Sequence, residues 1–208
     1  MSPPFRLCLI SDRRLADDLA QALELTLAAL PPGVAAVQLR ENELPDRELL
    51  ALARQLRTVT RRRGARLLIN DRLDIARLAE ADGLQLGQRS APLAAIRHHW
   101  PDAWLGSSCH DARELEEATR AGADFALLSP VFPPHSKRYD LAPLGVTRLG
   151  ALCRTTTLPI FALGGLDASN LAALRDSGCY GAAMIGGWLS AQADPTALAA
   201  ALRSARFA

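Results

Sequence analysis

Eight short apolar runs, each followed by a longer polar stretch with helical period, constrain this chain more than any other feature. The runs are 7–10, 34–39, 66–69, 83–86, 104–107, 125–128, 159–163 and 182–185. Most are apolar throughout rather than alternating, as expected of strands covered on both faces. Between them, segments 15–30, 46–62, 93–99, 111–120, 169–177 and 196–205 read as amphipathic helices. In 46–62, Leu49, Leu50, Ala53, Leu56 and Val59 recur at three-to-four spacing, which places them on one helix face. Gly122 and Gly178 each fall where a helix should end and a strand begin. Asp111, three residues before Glu114, has the pattern of a helix cap. Strands separated by helices pair in parallel, and eight such units in 208 residues predict one closed (β/α)8 barrel spanning 1–208, with a core of about 7–189. An open doubly wound sheet is the alternative, because the fourth unit is brief.

Composition narrows the class of function. An apolar content of 49% and a charged content of 22% are ordinary for a globular domain. A net charge of +2 gives no electrostatic footprint for nucleic acid or a membrane surface. The one basic cluster, Arg61-Arg62-Arg63, ends a helical stretch, where cations complement the helix dipole. Cys8, Cys109, Cys153 and Cys179 form neither a CxxC pair nor zinc-ligand spacing, which fits buried thiols in a reducing compartment. The first residues lack the layout of a signal peptide, and no apolar stretch has the length to span a bilayer. The expected location is the cytoplasm.

In a parallel barrel, function gathers just after each strand. Those positions hold Asp12, Gln38, Arg40, Asn70, Asp71, Gln88, Ser90, Ser108 and His110. The proline-rich segment Pro130–Pro143 follows the sixth run and carries His135, Ser136 and Lys137. Irregular loops of that length are often lids or binding loops. The last two runs lead into Gly164-Gly165 and Gly186-Gly187. Backbone without side chains lets N–H groups approach an anion, and a helix N-terminus adds partial positive charge. The rim predicts a small-molecule site facing an anion, with Arg40 and Lys137 as its cations. Singly, each residue has a plainer use: Asp71 as a helix cap, Arg40 in a surface pair with Glu41 or Glu43, His110 bonded to backbone.

Taken together, Val37-Gln38-Leu39-Arg40, Ile69-Asn70-Asp71-Arg72, Asp82-Gly83-Leu84-Gln85-Leu86-Gly87-Gln88, Pro130-Val131-Phe132-Pro133 with Ser136-Lys137, and Leu163-Gly164-Gly165-Leu166 resemble the thiamine phosphate synthase/TenI superfamily. The resemblance implies a TIM barrel that joins hydroxymethylpyrimidine diphosphate to a thiazole phosphate, giving thiamine phosphate and diphosphate. It implies Gln38 against the pyrimidine, and Arg40, Asn70 and Lys137 on the diphosphate. Asp71 would ligate Mg²⁺, Ser108 would lie near the leaving group, and Ser136 with Gly164, Gly165, Gly186 and Gly187 would hold phosphate. Partners would be these small phosphorylated substrates, without nucleic acid or membrane, in a monomer or a homodimer. The chain departs from the pattern at Asn42 (Lys), Ser90 (the second Mg²⁺-binding Asp), Pro134 (Thr) and Gly186 (Ser). A TenI-like thiazole tautomerase and a non-catalytic phosphate-binding homologue are the alternatives; the tautomerase pattern places a His where this chain has Pro130.

Overall fold

The computed structural model describes residues 2–133, 142–190, 193–205 and 207. Eight parallel strands close on themselves in sequence order, which settles the barrel over the open sheet. They are β1 Leu7–Ile10, β2 Ala35–Leu39, β3 Arg66–Asn70, β4 Gly83–Leu86, β5 Trp104–Cys109, β6 Phe125–Leu128, β7 Ile160–Leu163 and β8 Gly181–Met184. The closing pair sets Leu7 beside Ala182 and Leu9 beside Met184. All eight expected runs are strands, with ends shifted by one or two residues.

Outside them lie α1 Leu19–Ala29, α2 Asp46–Arg63, α3 Leu73–Leu78, α4 Leu93–His99, α5 Ala112–Ala121, α6 Gly145–Cys153, α7 Gly186–Leu189 and α8 Pro195–Ala205. α2 buries Leu49, Ala53, Leu56 and Val59, then stops at Gly64, whose φ of 67° suits a residue without Cβ. At α5, Asp111 accepts from the Glu114 N–H and Glu114 accepts from the His110 N–H, both at 2.8 Å, a reciprocal cap.

Two helix expectations need correction. The stretch 15–30 is helical only from Leu19, because Asp18 caps α1 by accepting from the Gln21 N–H; Arg13–Leu15 is a separate 3₁₀ turn. The stretch 169–177 is no α-helix but a 3₁₀ turn, Leu171–Leu174. There, Asp167 accepts from the Ser169 N–H, and Asn170 donates from its side chain to the Gly165 carbonyl. These local bonds compete with a helical ladder, and Asp176 at φ 64° ends the segment.

The interior changes character along the barrel axis. At the N-terminal end, Phe5, Phe125 and Phe161 fill the bore with ring centroids 5.4–5.5 Å apart. Above them sit Cys8, Ile10, Ala36, Leu68, Leu127 and Ala183. At the C-terminal end the inward positions of β2 to β5 become polar: Gln38, Asn70, Gln85 and Ser108. All four cysteines are free thiols, and burial pushes Cys8 and Cys109 up to about 12. No helix among the described residues is long and apolar enough to cross a membrane.

Candidate active site

Gln38 is 2% exposed although it points into the bore of an otherwise apolar strand. Its Nε2 donates to Asn70 Oδ1 at 2.9 Å, while its Oε1 is buried with no hydrogen-bond partner among the described residues. Asn70 in turn donates from Nδ2 to Asp71 Oδ2 at 2.8 Å and to Asn42 Oδ1 at 3.2 Å. Ser90 donates to the other oxygen of Asp71 and accepts from the Gly87 N–H at 2.6 Å. Side chains from β2, β3 and the loop after β4 thus form one connected chain. Asp71 is left-handed at φ 60°, a conformation that non-glycine residues adopt at a cost. Its N–H is held by the Gln85 carbonyl at 3.1 Å, so backbone pairing fixes the turn that presents the carboxylate.

The strip continues on β4 and β5. Gln85, 1% exposed, donates from Nε2 to Ser108 Oγ at 3.1 Å, and Gln88 donates to the Ser108 carbonyl at 3.2 Å. Having accepted from Gln85, the Ser108 hydroxyl retains a proton to donate. Gly106 is required beneath it: a Cβ there would collide with Gln85 Oε1 and the Phe125 ring. Gln85 was absent from the candidates named by sequence. A polar residue at an inward position of an apolar strand was the available clue, and it marks Gln38 and Gln85 alike.

Arg40 lies exposed just past β2, and its guanidinium forms no ion pair among the described residues. The surface pair with Glu41 or Glu43 therefore does not form. Glu43 bonds Arg13 at 3.2 Å, and Glu41 is buried with Ser11 and the Arg13 N–H. Asp12 is engaged by Arg14, whose hydrogen bond holds its carboxyl below the usual range. His110 takes its plainer role: Nδ1 lies 2.7 Å from the Ser129 carbonyl.

The four glycines divide. Gly164 and Gly165, at φ 104° and 61°, are demanded by the loop after β6, since Cβ atoms there would lie 2.9 Å from Pro130 Cα and Phe132 Cβ. That loop start is strapped down by Val131 N–H to the Leu163 carbonyl and Phe132 N–H to the Gly164 carbonyl. Gly187 is packed against Leu166 and Asp167, whereas a Cβ on Gly186 would meet nothing within 4 Å. Gly186 and Gly187 open α7, so their N–H groups have no intrahelical partner. Buried Trp188 anchors that short helix by donating to the Ile10 carbonyl at 2.9 Å. The helix N-terminus expected after Gly164-Gly165 is thus supplied by the second pair alone. Ser136, Lys137 and His135 lie outside the described residues.

Among the described residues no cluster of three His, Cys, Asp or Glu side chains stands ready for a metal. Asp71 offers one carboxylate, with the Ser90 hydroxyl beside it. Mg²⁺ often takes one or two carboxylates and completes its shell with water and substrate phosphate. The donor set fits an ion shared with a bound diphosphate.

A closed parallel barrel with buried polar groups gathered at the strand C-termini belongs to the TIM-barrel class, whose enzymes work at that face. Residues 7–187 match the family described as thiamine monophosphate synthase (TMP-TENI). A thiamine-phosphate synthase of Moorella thermoacetica is 40% identical over 87% of this chain and 86% of its own length. One from Desulfitobacterium hafniense strain Y51 is 36% identical over 97% of both. The solved thiamine phosphate pyrophosphorylase from Pyrococcus furiosus superimposes with a TM-score of 0.87, at 26% identity, over 98% of both chains. The chain belongs to the thiamine monophosphate synthase family.

Proposed function

We propose that this protein joins hydroxymethylpyrimidine diphosphate to a thiazole phosphate, releasing diphosphate. The observation that carries the proposal is the connected strip from Gln38 through Asn70 and Asp71 to Ser90, with a buried, unpartnered Gln38 Oε1 at its inner end. A buried acceptor without a donor costs about 1–3 kcal/mol and is met when a ligand N–H reaches it. An exocyclic amino group on the pyrimidine has that character.

Loss of diphosphate from a pyrimidine methylene builds negative charge on the leaving oxygens. Arg40, exposed and without an ion pair among the described residues, neutralises that charge with bidentate geometry, and Lys137 adds a second cation. Ser108, aligned by Gln85, donates a hydrogen bond to a leaving oxygen. Asn70 orients Gln38 on one side and Asp71 on the other. The open backbone at Gly186, with the Gly187 N–H beside it, receives the thiazole phosphate, and Ser136, Gly164 and Gly165 are assigned to the same group. Magnesium, held by Asp71 and the substrate's own phosphates, would add further charge neutralisation. The thiazole nitrogen attacks the electron-poor carbon, so the protein supplies orientation rather than a nucleophile.

The direct test supplies purified protein with both substrates and Mg²⁺. Formation of thiamine phosphate and diphosphate in equal amounts is expected. Binding of both substrates without product, under any divalent metal, would leave only a phosphate-binding homologue.

A further inference from the structure

Glu41 follows Arg40 directly, in a loop where a carboxylate would ordinarily be solvated. It is instead 3% exposed, and Ser11, its partner across the barrel seam, is fully buried. Glu41 Oε1 accepts from Ser11 Oγ at 2.6 Å and from the Arg13 N–H at 3.1 Å. The same Ser11 hydroxyl accepts from the Arg40 N–H at 2.8 Å. One buried oxygen pair therefore ties the loop after β1 to the backbone of Arg40. The barrel does not need this tie, since the β1–β2 ladder already runs to Ile10 beside Gln38, and the Ser11 N–H extends it to the Gln38 carbonyl. Burying a carboxylate is costly, and desolvation pushes the Glu41 carboxyl upward despite its two donors.

The arrangement also decides which acids reach Arg40. Three carboxylates lie close along the two loops, and each is occupied: Asp12 by Arg14, Glu43 by Arg13, Glu41 by Ser11. Arg40 is left as the open cation of the cluster. We infer that Glu41 is a positioning residue, which through Ser11 holds Arg40 at the barrel mouth and keeps it unpaired for an anionic ligand. This rests on the role given to Arg40 above.

The experiment measures inorganic diphosphate binding by calorimetry for wild type, Glu41→Gln, Ser11→Ala, Arg40→Ala and the Arg40→Ala/Glu41→Gln double variant, with steady-state kinetics alongside. Glu41→Gln and Ser11→Ala are each expected to weaken diphosphate about tenfold when Arg40 is present and less than about twofold when it is absent. kcat/KM for the pyrimidine diphosphate should fall by a similar factor when Arg40 is present and little when it is absent. Equal losses in both backgrounds, or a lowered melting temperature with unchanged diphosphate affinity, would overturn the inference. Should Glu41→Gln not fold, Ser11→Ala decides alone by the same comparison against Arg40→Ala/Ser11→Ala. If Arg40→Ala itself binds diphosphate as wild type does, the fault lies with the role of Arg40, and both fall together.

Discussion

The two ends of the barrel treat polar groups in opposite ways. At the N-terminal end, Asp82 and Asp124 occupy equivalent places just before β4 and β6. Asp82 accepts from the Leu67 N–H at 2.7 Å and from Arg57 at 2.6 Å; Asp124 accepts from the Leu105 N–H at 2.8 Å and from Arg97 at 2.6 Å. Each acid pins the preceding strand to the helix before that strand, α2 for Asp82 and α4 for Asp124. Arg6 stacks 3.7 Å over Tyr180, beside the phenylalanine plug. In the arginine-lined groove of about 490 Å³ between α2 and α3, Arg57, Arg61 and Arg62 are paired with Asp82, Glu80 and Glu24, while Arg54 forms no ion pair and Arg57 Nε no hydrogen bond among the described residues. At the C-terminal end, among the described residues, Gln38 Oε1 has no hydrogen-bond partner and Arg40 has no ion pair. One face spends Asp82 and Asp124 on ties between strand and helix, while the other keeps Arg40 and Gln38 Oε1 without a partner among the described residues, which separates stability from ligand capture.

That contrast breaks most directly at Arg40. Arg40→Ala should lower kcat/KM for the pyrimidine diphosphate by about 10³, or about 4 kcal/mol, with the urea midpoint unmoved. The mirror experiment is Asp82→Ala, expected to lower unfolding free energy by about 3 kcal/mol while the folded protein keeps its kinetic constants. Loss of activity from Asp82→Ala in fully folded protein would refute the separation. Ser90→Asp supplies a second carboxylate beside Asp71 and should tighten Mn²⁺ binding to the free protein about tenfold, read by electron paramagnetic resonance. Gln38→Leu removes the unpartnered acceptor together with one hydrogen bond, so stability should stay within about 1 kcal/mol while pyrimidine binding weakens.

The smallest expected effect concerns pH. Burial raises the Glu41 carboxyl in the folded state, so its contribution to stability is fully present below the ordinary carboxylate range. That contribution disappears as pH rises through the folded value. Asp12, lowered chiefly by its hydrogen bond from Arg14, has the opposite sign: its contribution is present above the ordinary range and is lost under acid. Urea midpoints of wild type and Glu41→Gln from about pH 4 to about pH 8 should converge toward acid and diverge as Glu41 ionises.

Strands were legible because burial on both faces demands continuous apolar runs, which need no knowledge of neighbours. Caps such as Asp111 with Glu114 were legible because their bonds span three or four residues. The segment 169–177 misled because Asp167 and Ser169 look like caps in sequence; in the fold Asp167 accepts from Ser169 itself, and Asn170 reaches back to the Gly165 carbonyl in the turn after β7. Glu41 misled for a related reason. Beside Arg40 it reads as a surface partner, and nothing local indicates that Ser11, thirty residues earlier, draws it inside.

Sequence by itself determined the eight strand-and-helix units, the polar residues at the strand ends and the family motifs, since all of these follow from periodicity and short-range chemistry, while closure of the sheet was settled by the pairing of β1 with β8. Tertiary structure alone decided which acids are spent on which cations, that Gln38 keeps a free acceptor, and that Gly186 is open while Gly164 and Gly165 are packed. These depend on contacts between strands and loops distant in sequence, where a shift of one hydrogen bond decides whether a charge is neutralised or left for a ligand.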